Sequence, residues 1–497
     1  MNRILEGAAS ALVPLLCVMI FVSGTYFAAA LRMYPFRRPG RLARVFFPGG
    51  RGWKESLSSF RAMTLALAGT LGVGNIVGVA SALVQGGRGA IFWMWISALF
   101  ATVVKYAEIV AAVRTRKCRS VPGRGKVYHG GAMYYIRSGA VSSLFAALII
   151  FGSFFIGNII QVKAASEAVG AVFGVPQIYT SSLLALICCA VLIGGGGRVS
   201  GFTSVLIPTL ALCYIGASLY IIISDISLLP SALSSILHDA FSPVSVGIGG
   251  AGCTVWMAMR YGITRGLFSS EAGCGSAPIA HAEAHCHSPA EQGCYGIFEV
   301  TADTGLLCTL SALVILLSPD AGAAAQSYDG TGIEIVINAF SSRFGSTAGL
   351  FISLSVALFA LATLVCWAHY GTEAIAYLRG KRKSRADKTG GEPPRFSSDC
   401  SVTEVGRGRG LPAADAVYIL VYCTAAALSA KISGEAVWSL ADLSLAAMTV
   451  INLLALFPER KLIAAETFRI FARRRYKKLS SISEPMKNGE RTRAGSV

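Results

Sequence analysis

The chain has 497 residues, 54% of them hydrophobic and 14% charged, with a formal net charge of +18 and a mean hydropathy of +0.59. Soluble domains carry about 25% charged residues, so this composition excludes a soluble protein and implies a polytopic one threaded through a membrane. The positive excess does not point to nucleic acid, because Lys and Arg gather in every second loop instead of on one face.

Eleven apolar runs follow one another, near 11–32, 57–85, 89–113, 143–168, 178–195, 202–224, 247–280, 293–317, 347–377, 413–432 and 436–457. The first ends in "YFAAALRM", a faint cleavage-site pattern. Its basic cluster follows the run rather than preceding it, which favours an uncleaved helix. Arg32, Arg37, Arg38, Arg41, Arg44, Arg51 and Lys54 come after it; Arg114, Arg116, Lys117, Arg119, Arg124 and Lys126 come after the third run. Nine Lys or Arg residues lie between Arg379 and Arg409, whereas 225–245 has none and 318–345 only Arg343. This alternation predicts an N-terminus outside and a C-terminus inside the plasma (inner) membrane. Glycines and prolines make 379–412 a flexible linker, and Glu459 to Lys478 reads as either a basic surface helix or a solvated tail. The thirteen cysteines show no pairing pattern.

Two runs are interrupted. The second contains "GTLGVGNIVG" (Gly69 to Gly78), and the seventh contains "RYGITRGLFSSEAGCGSAPIAHA" (Arg260 to Ala282), with Arg265 and Glu271 at apparent membrane depth. Backbone unwinds inside a bilayer only where protein buries it or a wet cavity meets it. With the first run set aside, the two interrupted runs open two groups of five that enter from opposite sides, which is an inverted repeat. The expected fold is therefore all-α: one N-terminal helix and inner loop (1–54), a first repeat (55–225), a second repeat (226–458) and a basic tail (459–497). A half-helix starting near Asn75 aims its free N–H groups at a carboxylate, and freed carbonyls suit an ammonium or Na⁺. Glycines at 72 and 74 admit a small ligand to the backbone, and a second break at Phe268 to Gly275 faces them.

At these residues the chain resembles the alanine or glycine:cation symporter family, the sodium:alanine symporters. The matching blocks are "GVGNIVGVASALVQGGRGAIFWMW", "KYAE", "GGAMYYI", "GNIIQ", "RGLFSSEAGCGSAPIAHA" and "WAHYGTEA". The resemblance implies a leucine-transporter-like fold and Na⁺-coupled uptake of small neutral amino acids, chiefly alanine and glycine, with no cofactor beyond the coupling ion. Substrate contacts are then expected from Gly72, Val73, Gly74, Asn75, Gln161, Phe268, Ser269, Ser270, Glu271 and Gly273, and sodium contacts from Asn75 and Thr363. Val73, Ser270 and Ala132 depart from the family's Thr, Asn and Pro, and Lys163 is an unusual charge that bears on substrate and ion number.

Each candidate has a structural alternative. Asn75 binds ligand or caps its half-helix; Gln161 binds substrate or joins helices; Glu271 neutralises a cation, caps a helix or pairs with Arg265; Thr363 binds sodium or bonds its own helix. Lys163 with Glu167, and Lys105 with Glu108, read as local ion pairs, and Asp303 as a structural carboxylate. "HAEAHCH" places His281, His285 and His287 at metal-ligand spacing, but it belongs to the family block and is read as no metal site. No catalytic or nucleotide-binding pattern is present. The expected activity is amino-acid import by sodium symport, the alternatives being the same fold driven by protons and an amino-acid sensor that does not transport.

Overall fold

The computed structural model describes residues 2–33, 35–37, 45, 53–121, 125–246, 252–286, 288–318, 332–386, 412–432 and 434–469. Arg38, Arg41, Arg44, Arg51, Arg124, His287, 387–411 of the expected linker and the tail beyond 469 lie outside the described residues.

The chain forms α1 (Asn2–Ala30), α2 (Trp53–Thr70), α3 (Val79–Gly86), α4 (Gly89–Thr115), α5 (Gly139–Phe154), α6 (Ile160–Phe173), α7 (Gln177–Leu192) and α8 (Gly196–Ser224). After them come α9 (Leu229–Asp239), α10 (Val255–Ser270), α11 (Ala277–Ala282), α12 (Pro289–Val300), α13 (Cys308–Leu317), α14 (Ile333–Phe344), α15 (Thr347–Ala386), α16 (Ala413–Leu428) and α17 (Gly434–Leu456). Each of the eleven apolar runs falls on one or two of these helices. Among the described residues, eight helices are long and apolar enough to cross a membrane, or nine when α2 and its continuation are one bent span.

Both interruptions expected from the glycines are present. The second run bends by 53° between Thr70 and Gly74. In the seventh, α10 stops at Glu271, whose φ of 48° is left-handed, and Gly273 and Gly275 follow at 83° and 77°. Those two positions favour glycine because they lie where a Cβ crowds the backbone. Pro278, at the first turn of α11, restarts the helix without losing a needed N–H.

Three boundaries differ from the sequence expectation. The seventh helix starts at Val255, not near 247, because Val244–Val246 pairs antiparallel with Gly252–Thr254. Thr254 then caps α10 by accepting the Met257 N–H at 3.2 Å. The loop expected at 225–245 contains the short helix α9. Helix α15 runs on to Ala386, so the first residues of the expected linker are helical. A second hairpin, β1 (Lys117–Val121) with β2 (Gly125–His129), stands at the basic end of α4 and opposes Lys117 to His129. Helical structure also continues over residues 460–469, where Glu459 and Glu466 receive Arg137 and Arg114 at 3.0 Å. Among the described residues ten cysteines are free thiols, while Cys118 on β1 is disulfide-bonded, a departure from the unpaired pattern expected.

The core is built on α15 and α4, which are buried along most of their apolar length. Close approach between helices depends on small residues, as it does generally in membranes. A Cβ at Gly157 would lie 2.0 Å from the Cβ of the fully buried Trp367, so α15 touches bare backbone there. Gly157→Ala is expected to cost about 1–3 kcal/mol through overpacking, read as a lowered thermal-unfolding midpoint in detergent. Gly216, inside α8 with open space beside it, is the control: Gly216→Ala should leave the midpoint unchanged or raise it, because Ala is favoured over Gly in a helix interior by about 0.5–1 kcal/mol.

Candidate functional site

The first break is held open by side chains. The Gly72 N–H donates to Asn75 Oδ1 at 3.1 Å, and the Val73 N–H donates to Gln161 Oε1 at 3.0 Å. Helix propagation would have tied up both donors; here two amide oxygens do so, as burial requires. The Asn75 Nδ2 donates to Ser269 Oγ at 3.0 Å and to the carboxylate of Asp303, with Cys308 Sγ at 3.5 Å. Asp303 Oδ2 also accepts from Ser269 and Thr304, each at 2.8 Å. Asn75, Gln161, Ser269 and Asp303 are all buried.

Three π-helical segments meet at this cluster. Gly74–Gly78 carries Asn75, Thr301–Leu307 carries Asp303, and Phe155–Ile159 supplies the Ile156 carbonyl that accepts Gln161 Nε2 at 3.1 Å. A π turn shifts the ladder by one residue and changes which groups its side chains and carbonyls can reach, a common feature of functional sites.

Beside the break, Thr363 Oγ1 on α15 lies 3.5 Å from the Leu71 carbonyl and 3.1 Å from that of Phe359. A Cβ at Gly72 would meet Gln161 Oε1 at 2.7 Å and Thr363 Oγ1 at 2.8 Å, so these oxygens converge on the glycine. A cavity of only about 10 Å³, the space of a single water, lies here, lined by Leu71, Gly72, Asn75, Ile76, Leu307 and Phe359, with Tyr214. Phe268 lies over Gly74, where a Cβ would be 3.1 Å from its ring, and packs against Trp438 at 5.2 Å between ring centres. Arg265 sits over the same Trp438 at 4.3 Å and 3.8 Å from Asp442.

Of the expected site residues, Gly72, Val73, Asn75, Gln161, Ser269 and Thr363 are therefore brought together, with Gly74 and Phe268 beside them. Ser270, Glu271 and Gly273 face a separate buried network. Glu271 accepts from Ser276 at 2.5 Å and from Trp367 Nε1 at 2.8 Å, and does not pair with Arg265. The Ser270 carbonyl accepts Lys105 Nζ at 2.8 Å, while the Gly273 N–H and carbonyl meet Glu108 and Asn452 at 3.4 and 2.7 Å. The expected Lys105–Glu108 pair is not formed. Lys105 reaches across to Glu299 at 3.0 Å, both fully buried, and Glu108 takes Asn452 at 2.9 Å. Residues three apart share a helix face, but a lysine in the bilayer goes to whichever carboxylate completes its desolvated shell. His281 bonds Glu299 at 2.9 Å and Gln292 at 2.8 Å, while His285 packs on Tyr128, so these two histidines do not converge. Lys163 and Glu167 pair at 3.0 Å, as their spacing implies.

Sequence reasoning missed Asp303 as part of the site. Its signal was present, since a carboxylate midway along an apolar run must find partners; only its partners, 228 residues away in the case of Asn75, were invisible.

An unwound span whose freed amides are held by side-chain oxygens beside a small cavity, among helices long enough to span a bilayer, is the architecture of a membrane transporter. The family model described as the sodium:alanine symporter family matches residues 1–388, and the chain belongs to that family. It is 33% identical over 464 residues to an uncharacterised transporter of Haemophilus influenzae, covering 92% of this chain and 93% of the relative. It is 32% identical to the sodium/alanine symporter AgcS of Methanococcus maripaludis, covering 83% of each. With GlnT of Bacillus subtilis, described as a "probable sodium/glutamine symporter", it shares 31% identity over 93% of this chain and 90% of that one. The protein is a transporter and not an enzyme.

The buried network makes a stability prediction. Lys105→Met leaves Glu299 without its cation and should destabilise by about 3–5 kcal/mol, the cost of stranding one member of a buried pair. Thermal unfolding in detergent reads this, and Lys105→Met/Glu299→Gln should recover much of the loss.

Proposed function

We propose that the protein imports small neutral amino acids, alanine and glycine foremost, together with Na⁺ by alternating access across the plasma (inner) membrane. One observation carries this reading: two adjacent backbone N–H groups, of Gly72 and Val73, are held by side-chain oxygens of Asn75 and Gln161 at the edge of a small cavity. A substrate carboxylate is a better acceptor than a neutral amide oxygen, so it takes these donors and releases the two side chains to contact it. Glycine at 72 and 74 lets the ligand reach the backbone, and a cavity of about 10 Å³ has to widen to admit even a small side chain, which favours the smallest amino acids. Phe268 and Ser269 close the facing side.

Na⁺ sits between the Leu71 carbonyl and Thr363 Oγ1, whose 3.5 Å separation suits two ligands of one oxygen-bound cation at about 2.3–2.6 Å, the range Ca²⁺ uses. Asn75 and the nearby charge of Asp303 complete the environment a cation needs. The reading includes eleven spans, the repeats 55–225 and 226–458 related by inversion, and an external N-terminus; it rests on the two breaks and on the alternation of basic loops. Ser270, Glu271 and Gly273 shape the second break instead of touching substrate, and Lys163, neutralised by Glu167, has no coupling role.

Labelled alanine uptake into proteoliposomes tests this. Uptake should follow an inward Na⁺ gradient and be competed by glycine. Gln161→Leu should lower it about 5–150-fold, the equivalent of 1–3 kcal/mol for a buried group left without its partner. Thr363→Val should raise the Na⁺ concentration needed for half-maximal uptake. Uptake that ignores Na⁺ and follows a proton gradient contradicts sodium coupling, and uptake of glutamine in preference to alanine contradicts the substrate assignment.

A further inference from the structure

At the basic end of the molecule, four side chains that the transport site does not use come together from three separate segments. Glu283 follows the last turn of α11, His369 and Glu373 lie one turn apart on α15, and His129 ends β2. His369 Nε2 is 2.5 Å from Glu283 Oε1, and His129 Nδ1 is 2.8 Å from Glu373 Oε2. One ligand atom each of Glu283, His369 and Glu373 lies within 4.8 Å of the other two. We propose that Glu283, His369 and Glu373 form a binding site for a transition-metal dication of the Zn²⁺ class, with His129 positioning Glu373.

The donor set carries the proposal. One imidazole nitrogen and two carboxylate oxygens are ligands that Zn²⁺ takes, and three protein ligands leave a fourth position for water. Tetrahedral bonds of about 2.0–2.2 Å place ligand atoms roughly 3.3–3.6 Å apart, so closing the present cluster on an ion needs shifts of the order of 1 Å. Side-chain motion supplies that, because the Glu283 and Glu373 side chains retain 27% and 14% of their exposure. That partial exposure also gives an entry path, while His369, at 8%, anchors the site. The bond from His129 to Glu373 Oε2 is, with the other carboxylate oxygen on the ion, an outer-shell contact of the kind that fixes a ligating carboxylate. Competing cations are occupied: Arg379 bonds Asp415 at 3.0 Å, and Arg116 donates to the Ala282 carbonyl at 2.9 Å. A bound ion would tie the end of the second broken span to α15 at the mouth that alternating access must open. Of the "HAEAHCH" stretch the site uses Glu283 and none of the histidines.

The test is a titration of metal-stripped full-length protein in detergent with Co²⁺, followed by displacement with Zn²⁺. One Co²⁺ per chain is expected, with the visible absorption of a four-coordinate site that Zn²⁺ abolishes, and Zn²⁺ should raise the thermal midpoint of the wild-type protein. His369→Gln and Glu373→Gln should each weaken binding by more than tenfold. His129→Gln should weaken it about 10-fold, as loss of an outer-shell contact does, and His285→Ala should leave it unchanged. Midpoints measured in EDTA show which variants are folded. Wild-type protein with neither the Co²⁺ spectrum nor a Zn²⁺-dependent midpoint overturns the proposal, and so does binding that survives both His369→Gln and Glu373→Gln.

Discussion

A bilayer has no water to offer an opened helix, so every N–H freed at the break after Thr70 must find a partner inside the protein. Asn75 and Gln161 meet that requirement, and the rest of the site follows from where they stand. Asn75 reaches back to Gly72 and forward to Ser269 and Asp303. The second broken span and the π turn of the eighth run are thereby fastened to the first break through one amide. Gln161 does the same for the fourth run, with its own Nε2 held by Ile156. The break is thus a junction of four elements, its two freed donors held by neutral amide oxygens beside a small cavity.

The second break is supported differently. Its glycines adopt left-handed conformations, and its polar groups are answered by charged side chains: Lys105, Glu108, Glu271 and Glu299, with Asn452 between them. A network of this kind is expensive to bury unless complete. The two breaks therefore differ in kind: neutral amides hold the first, whereas a charged network holds the facing backbone of the second. Trp367 belongs to both regions, donating to Glu271 while its ring covers Gly157.

Much of this was legible in the amino-acid order. Apolar runs located the helices, and Gly72, Gly74, Gly273, Gly275 and Pro278 marked both interruptions, because those residue types report local backbone geometry directly. What the order did not reveal was pairing across long separations. Asp303 stood out as a buried carboxylate, yet nothing local could assign it to Asn75. Lys105 was read with its neighbour Glu108 and found instead with Glu299, because i,i+3 spacing states proximity but not which carboxylate completes a desolvated shell. Glu271 stands in the second break, where the order leaves ligand, cap and ion pair open; its carboxylate accepts from Ser276 and Trp367. The histidines of "HAEAHCH" looked like a cluster because they are close in sequence, while the cluster that does form draws His129, Glu283, His369 and Glu373 from three segments.

The most direct test of the central claim is a structure of the protein determined with alanine and Na⁺ bound. The account predicts ligand density in the cavity beside Leu71 to Ile76, with its carboxylate accepting the Gly72 and Val73 N–H groups and the Asn75 and Gln161 side chains turned off the backbone. Density for alanine elsewhere, with both amides still seated on Gly72 and Val73, would contradict it.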